Sequence, residues 1–380
     1  MGATARISNG VCLDVDPSGC ERLVVEQINA MRQMERLGKG PRSVLVLGAS
    51  GGYGLSARIV SAFGIGAQTM GVSLERSPCE KRGGSPGWYN NIAFDAIARQ
   101  AGLKTVTLQG DAFSEATKMQ VVKVARELQF EPFDLVVYSL AAPVRTDPET
   151  GVMHRTTIRP IGQPTEALSL NLATGQLKQS TLPVASEEEI TGTIKVMGGE
   201  DWKLWIHKLH EAGLLATGVK TVAFSYIGPA ITNDIYRSGT LGRAKAHLEA
   251  TAHELTSLLA VMGGGSARVA VCKAVVTRAS AVIPAMPLYI AVLFRVMKDM
   301  GLHEDCFAQI NRLFRERLYT DGEIPADIEG RIRVDDWELR DDVQKKVLEI
   351  YKIVNNENVW DLTDFEGYQH DFLALHGLKG

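Results

Sequence analysis

Residues 44–54, Val-Leu-Val-Leu-Gly-Ala-Ser-Gly-Gly-Tyr-Gly, constrain the fold of this chain more than any other stretch. Four consecutive Val and Leu residues read as a buried strand, and Gly48, Gly51, Gly52 and Gly54 break it at once into a loop. From Leu55 to Phe63 the apolar residues recur at helical spacing. Strand, glycine loop and helix in that order make a candidate dinucleotide site. Glycine lets the main chain turn tightly and approach a diphosphate, and the helix start offers free N–H groups to that anion. On this reading Gly48, Ala49, Ser50, Gly51, Gly52 and Tyr53 touch the nucleotide. The alternative is a glycine-rich turn that holds nothing, and the flanking strand and helix favour the nucleotide.

The segments that follow repeat the pattern. Strands are expected at Ala67–Leu74, Lys104–Leu108 and Phe133–Leu140, with helices at Asn90–Ala98, capped by Asn90, and Phe113–Leu128. Such alternation predicts an α/β, Rossmann-type doubly wound parallel sheet with helices on both faces. Ligands in these sheets lie beyond the carboxyl ends of the strands, which places Leu74, Glu75, Asp111, Ala112, Ser139, Leu140 and Ala141 at the nucleotide. Glu75, just past the second strand, suits the adenosine ribose hydroxyls and so NADH. Arg76 beside it suits a 2′-phosphate and pulls the other way.

Composition removes several function classes. A net charge of -3 gives no electrostatic footprint for nucleic acid. The start of the chain leads into no apolar signal core, and the most apolar later run, residues 279–294, carries two prolines and falls short of a membrane span. That run is expected to be a buried helix with an irregular start. Cys12, Cys20, Cys79, Cys272 and Cys306 are odd in number and scattered, which fits free thiols in a reducing cytoplasm rather than zinc or a disulfide framework. His247 and His253 lie six apart, poorly placed for one helical face, and no metal is expected.

After residue 144 the rhythm breaks. Turn signals at 147–151 and 173–175 predict small β-hairpins inserted into the main sheet. A helix from Trp202 to Ala212, a strand at Lys220–Ser225, a helix over 242–261 and a strand at Ser266–Val271 follow. The domain reading is a single catalytic domain over 1–320 with a mostly charged, helical extension over 321–380. Within the domain lie a cofactor half (about 40–145), a hairpin insertion (about 146–190) and a catalytic half (about 191–320).

Tyr236 and Lys245 carry the second signal. The glycine spacing at 48–54 is nearer that of short-chain reductases, which usually set Tyr and Lys four apart on one helical face. Here the pair is nine apart, but Ser238-Gly239-Thr240 interrupts the helix, so Tyr236 can precede it while Lys245 lies in its first turns. By residue type alone, two ordinary surface or core residues are the commoner outcome.

The motifs taken together resemble the NADH-dependent trans-2-enoyl thioester reductases, the family of trans-2-enoyl-CoA reductases and V-type enoyl-acyl-carrier-protein reductases. The likeness runs through the glycine loop, Gly87–Asn91, Tyr138–Ala141, Val196–Trp202, Tyr226–Pro229, the Tyr236-x8-Lys245 pair, Val276–Pro284 and Arg331–Leu339. It covers nearly the whole chain and departs from the family's usual pattern at Cys272, usually Asn, and in the hairpin after Gln163-Pro164. The resemblance implies hydride transfer from NADH to C3 of a trans-2-enoyl thioester (of coenzyme A or acyl carrier protein) and protonation of C2, by a monomer. It implies Tyr236 as donor to the developing enolate and Lys245 as the cation that binds the cofactor and polarises Tyr236. Tyr226 would contact substrate, Val275, Val276 and Thr277 would border the nicotinamide, and the apolar 282–294 region would form the acyl pocket. Two alternatives stand beside it: a ketone/alcohol short-chain dehydrogenase, against which the absence of a Tyr-x3-Lys pair counts, and a catalytically silent dinucleotide-binding protein, against which the presence of both Tyr236 and Lys245 counts.

Overall fold

Seven strands form one wholly parallel sheet: β1 (Ser43–Leu47), β2 (Gln68–Ser73), β3 (Thr105–Gln109), β4 (Phe133–Tyr138), β5 (Leu215–Ser225), β6 (Ser266–Val271) and β7 (Ile332–Arg333). The computed structural model describes residues 5–8, 10–80 and 82–379. In space the strands run β3-β2-β1-β4-β5-β6-β7, so the order reverses between β1 and β4. That reversal opens the crevice in which doubly wound sheets bind ligands.

The run that reads as a featureless apolar strand has two working faces. Val44 and Val46 point into one cluster with α1 (Pro17–Gln33), α2 (Gly52–Ile59) and α3 (Pro86–Gln100). Leu45 and Leu47 point into the other, with α4 (Glu115–Glu127), α6 (Glu200–Glu211) and α7 (Thr240–Gly263). Successive side chains alternate across a strand, so a sheet covered on both sides needs apolar residues at every position. All five residues of β1 are buried.

Several boundaries differ from expectation for local reasons. Helix α2 continues to Ile65 as a wider π-helical turn and stops at Gly66, whose φ is 89°. Helix α3 starts a full turn early, at Pro86, because proline suits a first helical position; Asn90 does not cap it. A helix the sequence reading missed, α5 (Glu187–Met197), opens with a capping box in which Ser186 and Glu189 satisfy each other's backbone N–H. The two hairpins, Val144–Thr146 with Met153–Arg155 and Thr165–Leu170 with Leu177–Leu182, do form, but each is its own two-stranded sheet rather than an insertion into the main one.

The segment after residue 320 is likewise more than charged helices, since its two residues Ile332 and Arg333 form the edge strand β7. Beyond them, α10 (Asp341–Ile353) and α11 (Phe365–Ala374) bury Val343, Val347, Phe365, Tyr368 and Phe372 in a third cluster. That cluster also holds α8 (Met286–Asp299) and the longer hairpin. The irregular start of α8 is borne out by a short 3-10 turn at Ser280–Val282 and a left-handed Ala285. All five cysteines are free, and no helix among the described residues is long and apolar enough to cross a membrane.

Candidate functional site

A cavity of about 400 Å³ opens at the carboxyl ends of β1, β4, β5 and β6. Its floor is the glycine loop. Gly48 has a φ of 88°, and a Cβ there would collide with the carbonyl oxygen of Ser139 at the end of β4. A Cβ on Gly54 would in turn strike the Gly48 carbonyl. Neither position tolerates a side chain, so the loop folds flat across the crevice. Beyond Gly51 there is open space, and α2 begins there with no side chain capping its first N–H groups. An uncapped helix start facing a cavity is a cradle for a diphosphate. The residues present therefore fit a dinucleotide.

The loop is braced from outside. Asn90 Nδ2 donates to the Ser50 carbonyl at 2.9 Å, which is what Asn90 does in place of capping α3. Tyr53 lines the cavity while its hydroxyl donates to the carbonyl of Lys273 at 2.9 Å, tying α2 to the segment after β6. The Glu75 carboxylate is deeply engaged. Oε1 accepts from Ser50 Oγ at 2.6 Å and from Arg278 at 2.7 Å, and Oε2 accepts from Ser85 Oγ at 2.5 Å. Burial raises the Glu75 carboxyl, but Arg278 and the two hydroxyls outweigh it and hold it below the usual carboxylate range. The residue singled out for a ribose thus also locks the glycine loop to a segment 200 residues away.

Of the other residues singled out from the sequence, Ser50, Gly51, Gly52, Ser139, Leu140, Ala141, Val275, Val276 and Thr277 line the cavity. Gly48, Ala49, Leu74, Glu75, Asp111 and Ala112 do not. Ala49 is fully buried behind the loop, and Leu74 is 70% exposed at the strand end. Asp111 accepts from the Phe113 N–H at 3.0 Å, and the Ala112 carbonyl accepts from Trp205 Nε1 at 3.0 Å and Lys118 Nζ at 3.2 Å. Lys118 pairs with Asp201 at 2.7 Å, both side chains being 1% exposed, and this buried pair pins α4 to α6 beneath the strand ends.

The second half of the cavity wall is made by side chains. Tyr236 ends a helical turn at Asn233–Tyr236, the extended Gly239 interrupts the helix, and Lys245 sits in the second turn of α7. The expected interruption is real. It is fixed by Thr240, whose Oγ1 accepts from the Arg159 N–H at 3.2 Å and donates to the Thr157 carbonyl at 2.5 Å. Tyr236 and Lys245 both line the cavity, and only burial and nearby charge act on them, with no hydrogen bond from a described residue. Burial raises the Tyr236 phenol well above its ordinary value, with the charge of Glu338 adding to it. Burial lowers the Lys245 amine to about 8. Tyr226, at the end of β5, packs against Tyr236 with ring centroids 4.7 Å apart and planes at 80°.

Sequence reasoning missed several lining residues: Leu23 and Gln27 of α1, Met197 of α5, Cys306 at the start of α9 (Cys306–Leu313), and Asp371 and Leu375 at the far end of the chain. Their local pattern is that of ordinary helices. Of the apolar 282–294 run only Ile283 and Met286 reach the cavity; Leu288–Phe294 are core. His247 accepts from the Gly199 N–H at 3.0 Å, a structural task.

Fold and cavity define a Rossmann-type dinucleotide-binding protein, with Tyr236 and Lys245 entering the cavity from its second half. Family profiles described as the NAD(P)H binding domain of trans-2-enoyl-CoA reductase and the trans-2-enoyl-CoA reductase catalytic region match residues 3–80 and 82–319. The chain belongs to the trans-2-enoyl-CoA reductase family. It is 51% identical to a trans-2-enoyl-CoA reductase [NADH] of Treponema denticola over 98% of this chain and 94% of that one. It is 49% identical to an enoyl-[acyl-carrier-protein] reductase [NADH] of Cytophaga hutchinsonii over 97% and 92%. The crystal structure of the Treponema denticola enzyme in complex with NAD superposes with a TM-score of 0.95 at 50% identity, covering 100% of this chain and 95% of that one.

A third profile, described as an enoyl reductase FAD binding domain, matches residues 326–379. The residues there do not fit a flavin. The segment has no strand–glycine–helix unit, and its buried side chains Val343, Val347, Phe365, Tyr368 and Phe372 are spent in the cluster with α8. Gly377 instead abuts Asp16 and Gly19, and Gly367 faces the Asp364 side chain. Besides lining residues such as Asp371 and Leu375, the segment contributes a carboxylate buried behind the cavity wall. Glu338 is fully buried; its Oε1 accepts from Tyr226 at 2.9 Å and from Tyr289 at 2.7 Å, and its Oε2 accepts from the Ala274 N–H at 2.6 Å.

Proposed function

We propose that this protein reduces the C2=C3 bond of trans-2-enoyl thioesters with NADH, giving saturated acyl thioesters for fatty-acid synthesis. Family membership supports the reaction class, and one observation supports the assignment of roles. Tyr236 and Lys245 face the same cavity as the glycine loop, and their polar atoms are uncommitted among the described residues.

NADH, when bound along Gly48–Tyr53, supplies the hydride that goes to C3. Negative charge then develops on the thioester oxygen, and a donor already in place there stabilises it without reorganisation. Tyr236 is that donor: its raised pKa keeps the hydroxyl protonated, and it stands on the route by which a proton reaches C2. Lys245 binds cofactor hydroxyls or phosphate as a cation and polarises Tyr236. Tyr226 contacts the substrate, and Val275, Val276 and Thr277 border the nicotinamide. Glu75 is read as the partner of the adenosine ribose, with Leu74, Asp111 and Ala112 at the strand ends on the nucleotide's side.

Residues 1–320 are read as one catalytic domain with 321–380 packed on it, since one hydrophobic cluster joins Tyr236, α8, α10 and α11. We place the enzyme in the cytoplasm as a monomer. Steady-state rates with crotonyl-CoA and with crotonyl-acyl carrier protein, each with NADH and NADPH, test the proposal. Thioester-dependent NADH oxidation is expected, and its absence with both carriers overturns the reading. A single symmetric peak at about the chain's 41.3 kDa in size-exclusion chromatography is expected for the monomer.

A further inference from the structure

Among the described residues the Glu338 carboxylate has three hydrogen-bond partners, two phenols and one backbone N–H, and each donates to it. Burial raises the Glu338 carboxyl above its ordinary value, while these three donors suit its ionised form and pull against that rise. A buried charge persists only when hydrogen-bonded and compensated, and Lys273, itself buried with its amine on the Ala274 and Glu304 carbonyls, acts on it with opposite charge. The brace is completed by Gln344, whose Nε2 donates to the Glu338 carbonyl at 2.6 Å and to the Tyr289 hydroxyl at 3.2 Å.

Glu338 therefore takes the only proton of the Tyr226 hydroxyl. Tyr226 presents just its ring and oxygen lone pairs to the cavity, and its ring stands nearly perpendicular against Tyr236. Tyr236 keeps a hydroxyl with no acceptor among the described residues.

We infer that Glu338 is a positioning residue for enoyl reduction, acting through Tyr226: it pins the Tyr226 ring against Tyr236 and withdraws the Tyr226 proton, leaving Tyr236 as the one phenolic donor to the developing enolate. This rests on the reading of Tyr236 and Tyr226 given above. It assigns the C-terminal segment a part in the reaction through one side chain, with no nucleotide of its own.

Glu338→Gln tests it with little change of volume. The amide oxygen can stay on the Ala274 N–H, which turns its NH2 toward two phenols that were donors, so the Tyr226 hydroxyl must reverse. With crotonyl-CoA and NADH, E338Q should lower kcat tenfold or more and leave KM for NADH within twofold. In a Tyr226→Phe background the same change should lower kcat by less than twofold, because the hydroxyl through which Glu338 acts is gone. Equal losses in both backgrounds overturn the inference and show a merely structural carboxylate. Y226F keeps Tyr236 as the one phenolic donor but removes the hydroxyl by which Glu338 pins the ring, and should itself lower kcat tenfold or more. An unchanged kcat in Y226F overturns the inference even where E338Q fails to fold. A wild-type chain inactive on every enoyl thioester would sink the reductase reading itself, whereas an active wild type with additive losses removes only the role of Glu338.

Discussion

The two walls of the cavity are built on different principles. The wall made by β1 and β4 is built on backbone: a flat glycine loop and an uncapped helix start, braced by Asn90 and Glu75 from behind. The opposite wall is side chains drawn from far apart in sequence: Tyr226, Tyr236, Lys245, Lys273 and, behind them, Glu338. A backbone cradle recognises what all dinucleotides share, so it needs only local sequence. A reactive centre needs particular atoms at particular spacings, so it recruits them from wherever the fold brings them together.

Breaking the side-chain wall should cost activity without stability. Tyr236→Phe removes a hydroxyl that no described residue bonds and should lower kcat on crotonyl-CoA by about 10²–10⁴-fold. The NADH dissociation constant and the melting temperature should stay within error, and a variant retaining full turnover would take Tyr236 out of the mechanism.

Beneath the backbone wall the reverse should hold. Lys118→Met strips the buried Asp201, whose carboxyl burial already raises, of its cation, which should cost about 3–5 kcal/mol of stability. This would appear as a lower urea midpoint at unchanged slope, with kcat at low temperature nearly intact. A midpoint equal to wild type would mean that the pair is not needed to pin α4 to α6.

Smaller effects sharpen the contrast. Burial depresses Lys245 to about 8, so it is charged below that pH and neutral above it. If its charge holds the cofactor, kcat/KM for NADH should be flat below pH 8 and fall about tenfold per unit beyond it. In Lys245→Arg that limb should move out of the measurable range; a limb left in place would assign it elsewhere. Glu75→Gln keeps the hydroxyl contacts but loses the ion pair with Arg278, which is 46% exposed and so worth little by itself. KM for NADH should rise a few-fold and the preference over NADPH should narrow. An unchanged ratio of the two would confine Glu75 to bracing the loop.

How much of this was legible in the sequence follows the same division. The strand, glycine loop and helix at 44–63, the alternation that follows and the break between Tyr236 and Lys245 could all be read locally, because periodicity and turn residues act over a few positions. Edge strand β7 was invisible, being two residues long within a charged run. The capping box before α5 was present in Ser186 and Glu189 and could have been read.

The sequence by itself determined the strands and helices of the cofactor half and their apolar faces, since those follow from backbone sterics and side-chain spacing. Only the tertiary structure decided that Glu338 is fully buried. Its neighbours Asp335, Asp336 and Arg340 give it the local look of a solvated loop, and what removes it from water lies on β5 and α8, 112 and 49 residues away. Burial is a property of what comes to cover a residue, and no short window of sequence contains the cover.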